Sequence, residues 1–200
     1  ITIFLPDSEI FDTSGLGVAL IQKKNTDDKD FSTVFYFNLL VSIILYLVLY
    51  FSSPLISRFY SEPKLILITR VLTLIIIINA FSTIHLTKLK KILNFKKITK
   101  VSIISSVLSG VIGITLALSN FGIWSLVFYH ISYRLFRAIL FWVYDNWHPS
   151  FEFSIMAFKD LFNYSSKLLL SALLNRFFID IYNVIIGKFF SAASLGFYDR

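Results

Sequence analysis

The run from Phe31 to Leu55, FSTVFYFNLLVSIILYLVLYFSSPL, contains no charged residue. Crossing about 30 Å of hydrocarbon takes about 20 apolar residues in helical form, and this run exceeds that length. Pro54 falls at its end, where a proline fits a helix terminus. Leu65 to Leu86 reads as a second span, interrupted by Arg70, Asn79 and His85. Val101 to Leu118 is a third, and Ile123 to Tyr144 a fourth. Between these last two, SNFG (119–122) makes a tight turn and hence a helical hairpin. The fold class is therefore all-α, a polytopic transmembrane helical bundle. Composition agrees: 56% of residues are hydrophobic and 16% charged, against about 25% charged in soluble domains.

The polar segments between the runs set the topology. Segments 22–30, 87–100 and 145–160 alternate with 56–64 and 119–122. The first set carries Lys23, Lys24, Lys29, Lys88, Lys90, Lys91, Lys96, Lys97, Lys100 and Lys159, and the second only Arg58 and Lys64. An excess of Lys and Arg marks the cytoplasmic side, so the first set is placed in the cytoplasm. The net charge of +7 is accounted for in this way, without a nucleic acid partner. Asp27, Asp28 and Asp30 sit in the first lysine-rich loop and read as solvated. Phe141, Trp142, Tyr144 and Trp147 form an aromatic belt at the end of the fourth span. The chain begins at Ile1, without Met or signal peptide, and reads as part of a longer protein. Residues 1–22 are ambiguous, with Pro6, Asp7, Glu9 and Asp12 against a full span and Gly15 to Ile21 resembling the end of one.

Small residues recur on the third span at Ser102, Ser106, Ser109/Gly110, Gly113 and Ala117. Such a stripe allows close helix approach where no hydrophobic force drives association. Polar residues at membrane depth are the candidates for function, because placing a charge there costs roughly 2.5 to 3.5 kcal/mol or more. In the fourth span His130, Arg134 and Arg137 lie at i, i+4 and i+7, on one helical face. Arg137 is within snorkelling reach of the headgroups, whereas Arg134 is too far in for an easy reach. Downstream, Leu161 to Phe190 is long and mostly apolar but carries Arg176, Asp180 and Asn183 on one face, opposite Leu170, Leu174, Phe178, Ile181 and Ile185. Arg176 and Asp180 also suit an i, i+4 ion pair. Arg70, about a turn into its helix, is placed near the outer interface. The three histidines, at 85, 130 and 148, are far apart in sequence and suggest no metal site. The chain has no cysteine, no Gly-rich phosphate loop and no HExxH, so no cofactor and no catalytic constellation is expected. Asn163-Tyr164-Ser165 reads as a sequon but falls at a cytoplasmic helix end.

GLGVALIQKKN (15–25) and FSTVFYFNLL (31–40) resemble the corresponding stretch of Wzx-type polysaccharide flippases. These are the O-antigen, teichuronic acid and colanic acid exporters of the MOP superfamily, related to MATE transporters and the lipid II flippase. Arg70-Val-Leu, LKKILNFKKI (89–98), FGIWSLV (121–127), Arg137 and LLNRFFIDIYNVIIGKFFSAASLGFY (173–198) follow in family order. The resemblance implies a two-lobed, MATE-like bundle of which this chain holds part. Residues 1–144 would be a partial N-lobe, 145–160 a cytoplasmic linker, and 161–200 the first C-lobe helix and the start of the next. It implies a bacterial inner-membrane protein that flips an undecaprenyl-pyrophosphate-linked oligosaccharide by alternating access, without covalent chemistry. The partners would be that substrate, the bilayer and other polysaccharide-assembly proteins.

On this reading Arg176, Asp180, Asn183, His130, Arg134 and Arg137 line the cavity. Asp180 is the candidate titrating group for coupling to an ion gradient. Tyr129, Tyr133, Tyr164 and Tyr182 are candidates for stacking on sugars. A MATE-like exporter of organic cations should have an acidic cavity, and a membrane-embedded polysaccharide-synthesis enzyme should have a large extramembrane loop with paired acids. A structural subunit would not need charges on two faces at lipid depth.

Overall fold

A computed structural model describes residues 16–163 together with 165, 166, 170, 171 and 174. Its helices are α1 (Leu16–Gln22), α2 (Asp28–Tyr60), α3 (Leu65–Leu72), α4 (Leu74–Lys91), α5 (Phe95–Leu118) and α6 (Ile123–Tyr144). A further helical segment covers 155–163, beginning before the expected Leu161. α2, the α3–α4 pair, α5 and α6 are each long and apolar enough to cross a membrane. These are the four spans expected from the sequence, and the chain is an all-α membrane protein. The expectations for residues 1–15, Tyr164 and 175–200, including Arg176, Asp180, Asn183 and Tyr182, lie outside the described residues.

Pro54 does not end its helix. α2 continues to Tyr60 and is 33 residues long, about 50 Å at 1.5 Å per residue. Proline has no N–H, so the Tyr50 carbonyl one turn back loses its helical partner. The Ser53 hydroxyl donates to that carbonyl at 2.7 Å, which lets the helix pass through an apolar environment with its backbone satisfied. The expected 56–64 connection shrinks accordingly. The helix closes at Ser61, whose φ is 58°, with the Glu62 N–H on the Ser57 carbonyl at 3.1 Å.

The lysine-rich segment 87–100 is likewise mostly helix. Lys88, Lys90 and Lys91 occupy the last turn of α4, where positive charge complements the helix dipole. Lys96, Lys97 and Lys100 lie in the opening turns of α5. Between them the chain reverses through a tight turn. The Leu93 N–H donates to the Lys90 carbonyl at 3.0 Å and the Asn94 N–H to the Leu89 carbonyl at 2.9 Å. Glycine usually fills the left-handed position of such a turn. Here it is Leu93, with φ of 56°, a conformation that costs an L-residue roughly 1 kcal/mol or more.

The acidic residues of the first loop are not merely solvated. Asp30 is 5% exposed; it accepts from Lys23 Nζ at 2.8 Å and from the Asp27 N–H at 3.2 Å. Asp28 accepts from Trp147 Nε1 at 2.9 Å. These carboxylates fix the start of α2 to α1 on one side and to the segment after α6 on the other.

Three apolar clusters hold the helices together. Leu16, Leu20, Phe31, Val34, Phe35, Ile84, Trp147 and Leu161 join α1, α2, α4 and the residues after α6. Leu86, Leu89, Val101 and Phe141 join α4, α5 and α6 at the same pole. Ile68, Leu72, Ile75 and Val127 close the other pole. The small-residue stripe is displaced from its expected register. Val101, Ser105 and Ser109 are the buried positions of α5, whereas Ser106 and Ala117 are exposed. Gly113 does make a close approach: a Cβ there would lie 3.1 Å from Tyr129 Cβ on α6. A Cβ on Gly110 would meet nothing within 4 Å.

Gly113→Leu should therefore force α5 and α6 apart and destabilise the protein by about 1 to 3 kcal/mol. Gly110→Leu should leave the thermal midpoint in detergent close to that of the wild type. Equal midpoints for the two variants would contradict the α5–α6 packing.

Candidate functional site

α6 carries the basic stripe expected from the sequence. Phe128, Leu135, Ile139 and Val143 form its exposed apolar face. At about 100° per residue, His130, Arg134 and Arg137 lie on the opposite side, near the buried Val127, Ala138 and Phe141. All three basic residues are half-buried. The His130 ring is edge-on to Tyr129 at 5.0 Å. The Arg134 guanidinium is 5.4 Å from the Tyr133 ring centroid, and that of Arg137 is 5.5 Å from Phe141. The Arg137 Nε is buried, and its guanidinium lies one turn further along α6, over a ring of the helix-packing core. A cation over an aromatic face is attracted by the ring quadrupole.

Net charge reinforces this. From Pro63 to Tyr144 the sequence contains no Asp or Glu, so all of α3, α4, α5 and α6 brings cations and no carboxylate. An arginine in that setting suits an anion: its planar fork of donors matches phosphate or carboxylate.

Arg70 is more firmly built in than an interfacial residue. Its Nε donates to Ser53 Oγ at 3.0 Å, and its guanidinium sits 4.3 Å from the Tyr50 ring centroid. Ser53 is fully buried. Arg70, Ser53 and the Tyr50 carbonyl thus form a relay that bridges α3 to the proline site of α2.

A second polar constellation lies at the opposite pole and was not foreseen. His85, on α4, is fully buried, and its Nδ1 meets Asp145 Oδ2 at 2.9 Å at the end of α6. Trp142 stands edge-on to both His85 and His148, at 5.1 and 5.8 Å, so two histidines distant in sequence share one aromatic ring. The segment after α6 then runs against α2. The Ser150 N–H donates to Ser32 Oγ at 3.0 Å, and the Ser154 N–H to Thr33 Oγ1 at 3.0 Å. Lys29 pairs with Glu152 at 2.9 Å. Lys91 Nζ donates to the carbonyl of Leu20 at 2.7 Å and to that of Lys23, covering the orphan C-terminal carbonyls of α1. No periodic signal marks these partners. The one local cue is a polar linker whose Trp147 and serines offer more hydrogen-bonding groups than a plain spacer needs.

These features define a polytopic all-α membrane protein with a cation-bearing, bundle-side face. The family follows from comparison: the model for "polysaccharide biosynthesis protein" matches residues 1–200, and the chain belongs to that family. It is similar to the teichuronic acid biosynthesis protein TuaB of Bacillus subtilis (strain 168), with 33% identity over 188 residues. That match covers 92% of this chain and 39% of the relative. It is also similar to the succinoglycan biosynthesis transport protein ExoT of Rhizobium meliloti (strain 1021), with 25% identity over 185 residues, 92% of this chain and 37% of the relative. The chain thus spans about two fifths of the length of these relatives. No solved structure matches it.

The Arg70 relay gives a test. Ser53→Ala removes the donor to Tyr50 and the acceptor for Arg70, and should cost about 1 to 3 kcal/mol. With Pro54→Ala already in place, Tyr50 regains a backbone donor, and the same serine change should cost less. Thermal or denaturant unfolding of the two single variants and the double variant measures this coupling; strict additivity would contradict the relay.

Proposed function

We propose that the protein to which this chain belongs exports a polyisoprenyl-pyrophosphate-linked oligosaccharide across the bacterial inner membrane. It works by alternating access and makes no covalent bond. The observation that carries this reading is the basic stripe of His130, Arg134 and Arg137 on the bundle side of α6, within a helical unit that has no acidic residue. A pyrophosphate crossing hydrocarbon needs a cationic, hydrated path, and arginine supplies both charge and paired donors. Membership of the polysaccharide biosynthesis family supports the class of cargo, and the printed name of the succinoglycan relative supports transport.

Alternating access between two lobes is the mechanism available to such a bundle. Arg176, Asp180 and Asn183, which helical spacing in the sequence groups together, would complete the proposed path from the second lobe, with Asp180 as the titrating group for ion coupling. Tyr129 and Tyr133 flank His130 and Arg134 in sequence and offer rings to sugars; Tyr164 and Tyr182 would do the same from the other side. Proteins that assemble the polysaccharide are the natural partners on either side of the membrane.

The test is a flipping assay on the full-length protein in proteoliposomes with a fluorescent lipid-linked oligosaccharide. Loss of one charge-assisted contact is worth about tenfold or more in rate. Arg134→Gln and Arg176→Ala should each slow flipping by that factor, whereas Leu135→Ala, on the apolar face, should not. Wild-type rates in both arginine variants would refute the site. Failure of the wild-type protein to flip would refute the function.

A further inference from the structure

We infer that the turn between α4 and α5 is an anchor for anionic phospholipid headgroups, seated in the leaflet on the lysine-rich side of the protein. Ile92, Leu93 and Phe95 are 61%, 71% and 56% exposed. They stand together at the tip of a hairpin whose flanks carry six lysines. A water-facing turn would place glycine or asparagine at the left-handed position; this one has a leucine there and leaves its side chain uncovered. Insertion into lipid gives that side chain a function which exposure to water does not.

Depth agrees with this placement. α5 has 24 residues, about 36 Å of helix for about 30 Å of hydrocarbon. The tip therefore emerges into the headgroup layer and not far beyond it. Charge identifies the occupant. Lys91 is committed to the carbonyls of α1, and Lys88 and Lys100 lie over the Trp147 and Tyr144 rings at 5.4 and 4.8 Å. Lys90, Lys96 and Lys97 enter no ion pair among the described residues. The nearest acidic residues in sequence are Glu62 and Asp145. Apolar side chains flanked by such lysines match a phospholipid with an anionic headgroup, in which acyl chains meet the former and phosphate the latter. This inference is independent of what the protein carries.

The experiment uses the full-length protein with a single cysteine at Thr99, an exposed position beside the tip, labelled with an environment-sensitive fluorophore. The protein is reconstituted into phosphatidylcholine vesicles containing equal small fractions of nitroxide-labelled phosphatidylglycerol or nitroxide-labelled phosphatidylcholine. Each lysine near an anionic surface gives roughly a fivefold gain in local occupancy. Labelled phosphatidylglycerol should therefore quench several-fold more strongly. K90Q/K96Q/K97Q together should remove that preference but retain quenching by labelled phosphatidylcholine. Equal quenching by the two lipids in the lysine-bearing protein would overturn the inference. So would quenching by aqueous iodide and by neither lipid, which would place the tip in water or under a protein.

Discussion

Hydrocarbon offers no hydrogen-bond partner, and this constraint arranges the polar groups of the chain. Hydroxyls on the spanning helices turn back to carbonyls of their own helix, as Thr73 does to Thr69 at 2.9 Å and Thr87 to Thr83 at 2.9 Å. Where proline removes a donor, Ser53 replaces it, and Arg70 is attached to the replacement. Where α1 ends, a lysine from α4 covers its carbonyls. The Arg70–Ser53 and Lys91–Leu20 bonds each join two helices, so bonds that satisfy polar groups also fix those helices relative to one another.

The constraint also separates the charges. Three acidic side chains at the pole where α2 begins and α6 ends are paired: Asp30 with Lys23, Asp28 with Trp147, Asp145 with His85. The unit from α3 to α6 has none. The Arg134 and Arg137 guanidinium groups lie near aromatic rings, which attract a cation through the ring quadrupole. The segment after α6 is tied to α2 by the backbone N–H groups of Ser150 and Ser154, which donate to the Ser32 and Thr33 hydroxyls. Whatever follows that segment is thereby referenced to the first helices and not only to α6.

The spans were legible because apolar length is a one-dimensional signal: α6 begins and ends where the sequence places it, at Ile123 and Tyr144. The basic face of α6 was legible for the same reason, since helical period alone puts His130, Arg134 and Arg137 together. Pro54 misled, because its effect depends on whether a neighbouring hydroxyl repairs the break. The small-residue stripe slipped in register because several serines and glycines lie close together on α5, and only the packing of Tyr129 against Gly113 decides which face is used. The lysine run looked like a loop because charge resembles solvent exposure, although lysines at a helix end also complement its dipole. The His85–Asp145 pair and the clasp on Ser32 and Thr33 join residues far apart in sequence with no periodic mark, so three-dimensional structure was needed to find them.

The central claim is that the basic face of α6 looks into a hydrated interior while its apolar face meets lipid. Substituted-cysteine accessibility in a cysteine-free background measures it directly, and residues 1–200 contribute no cysteine to be removed. Single cysteines at His130, Arg134 and Arg137 in the full-length protein should react with a small membrane-impermeant thiol reagent in intact membranes. Cysteines at Phe128, Leu135 and Ile139 should not. Reaction confined to the second set, or protection of both sets alike, would contradict the account.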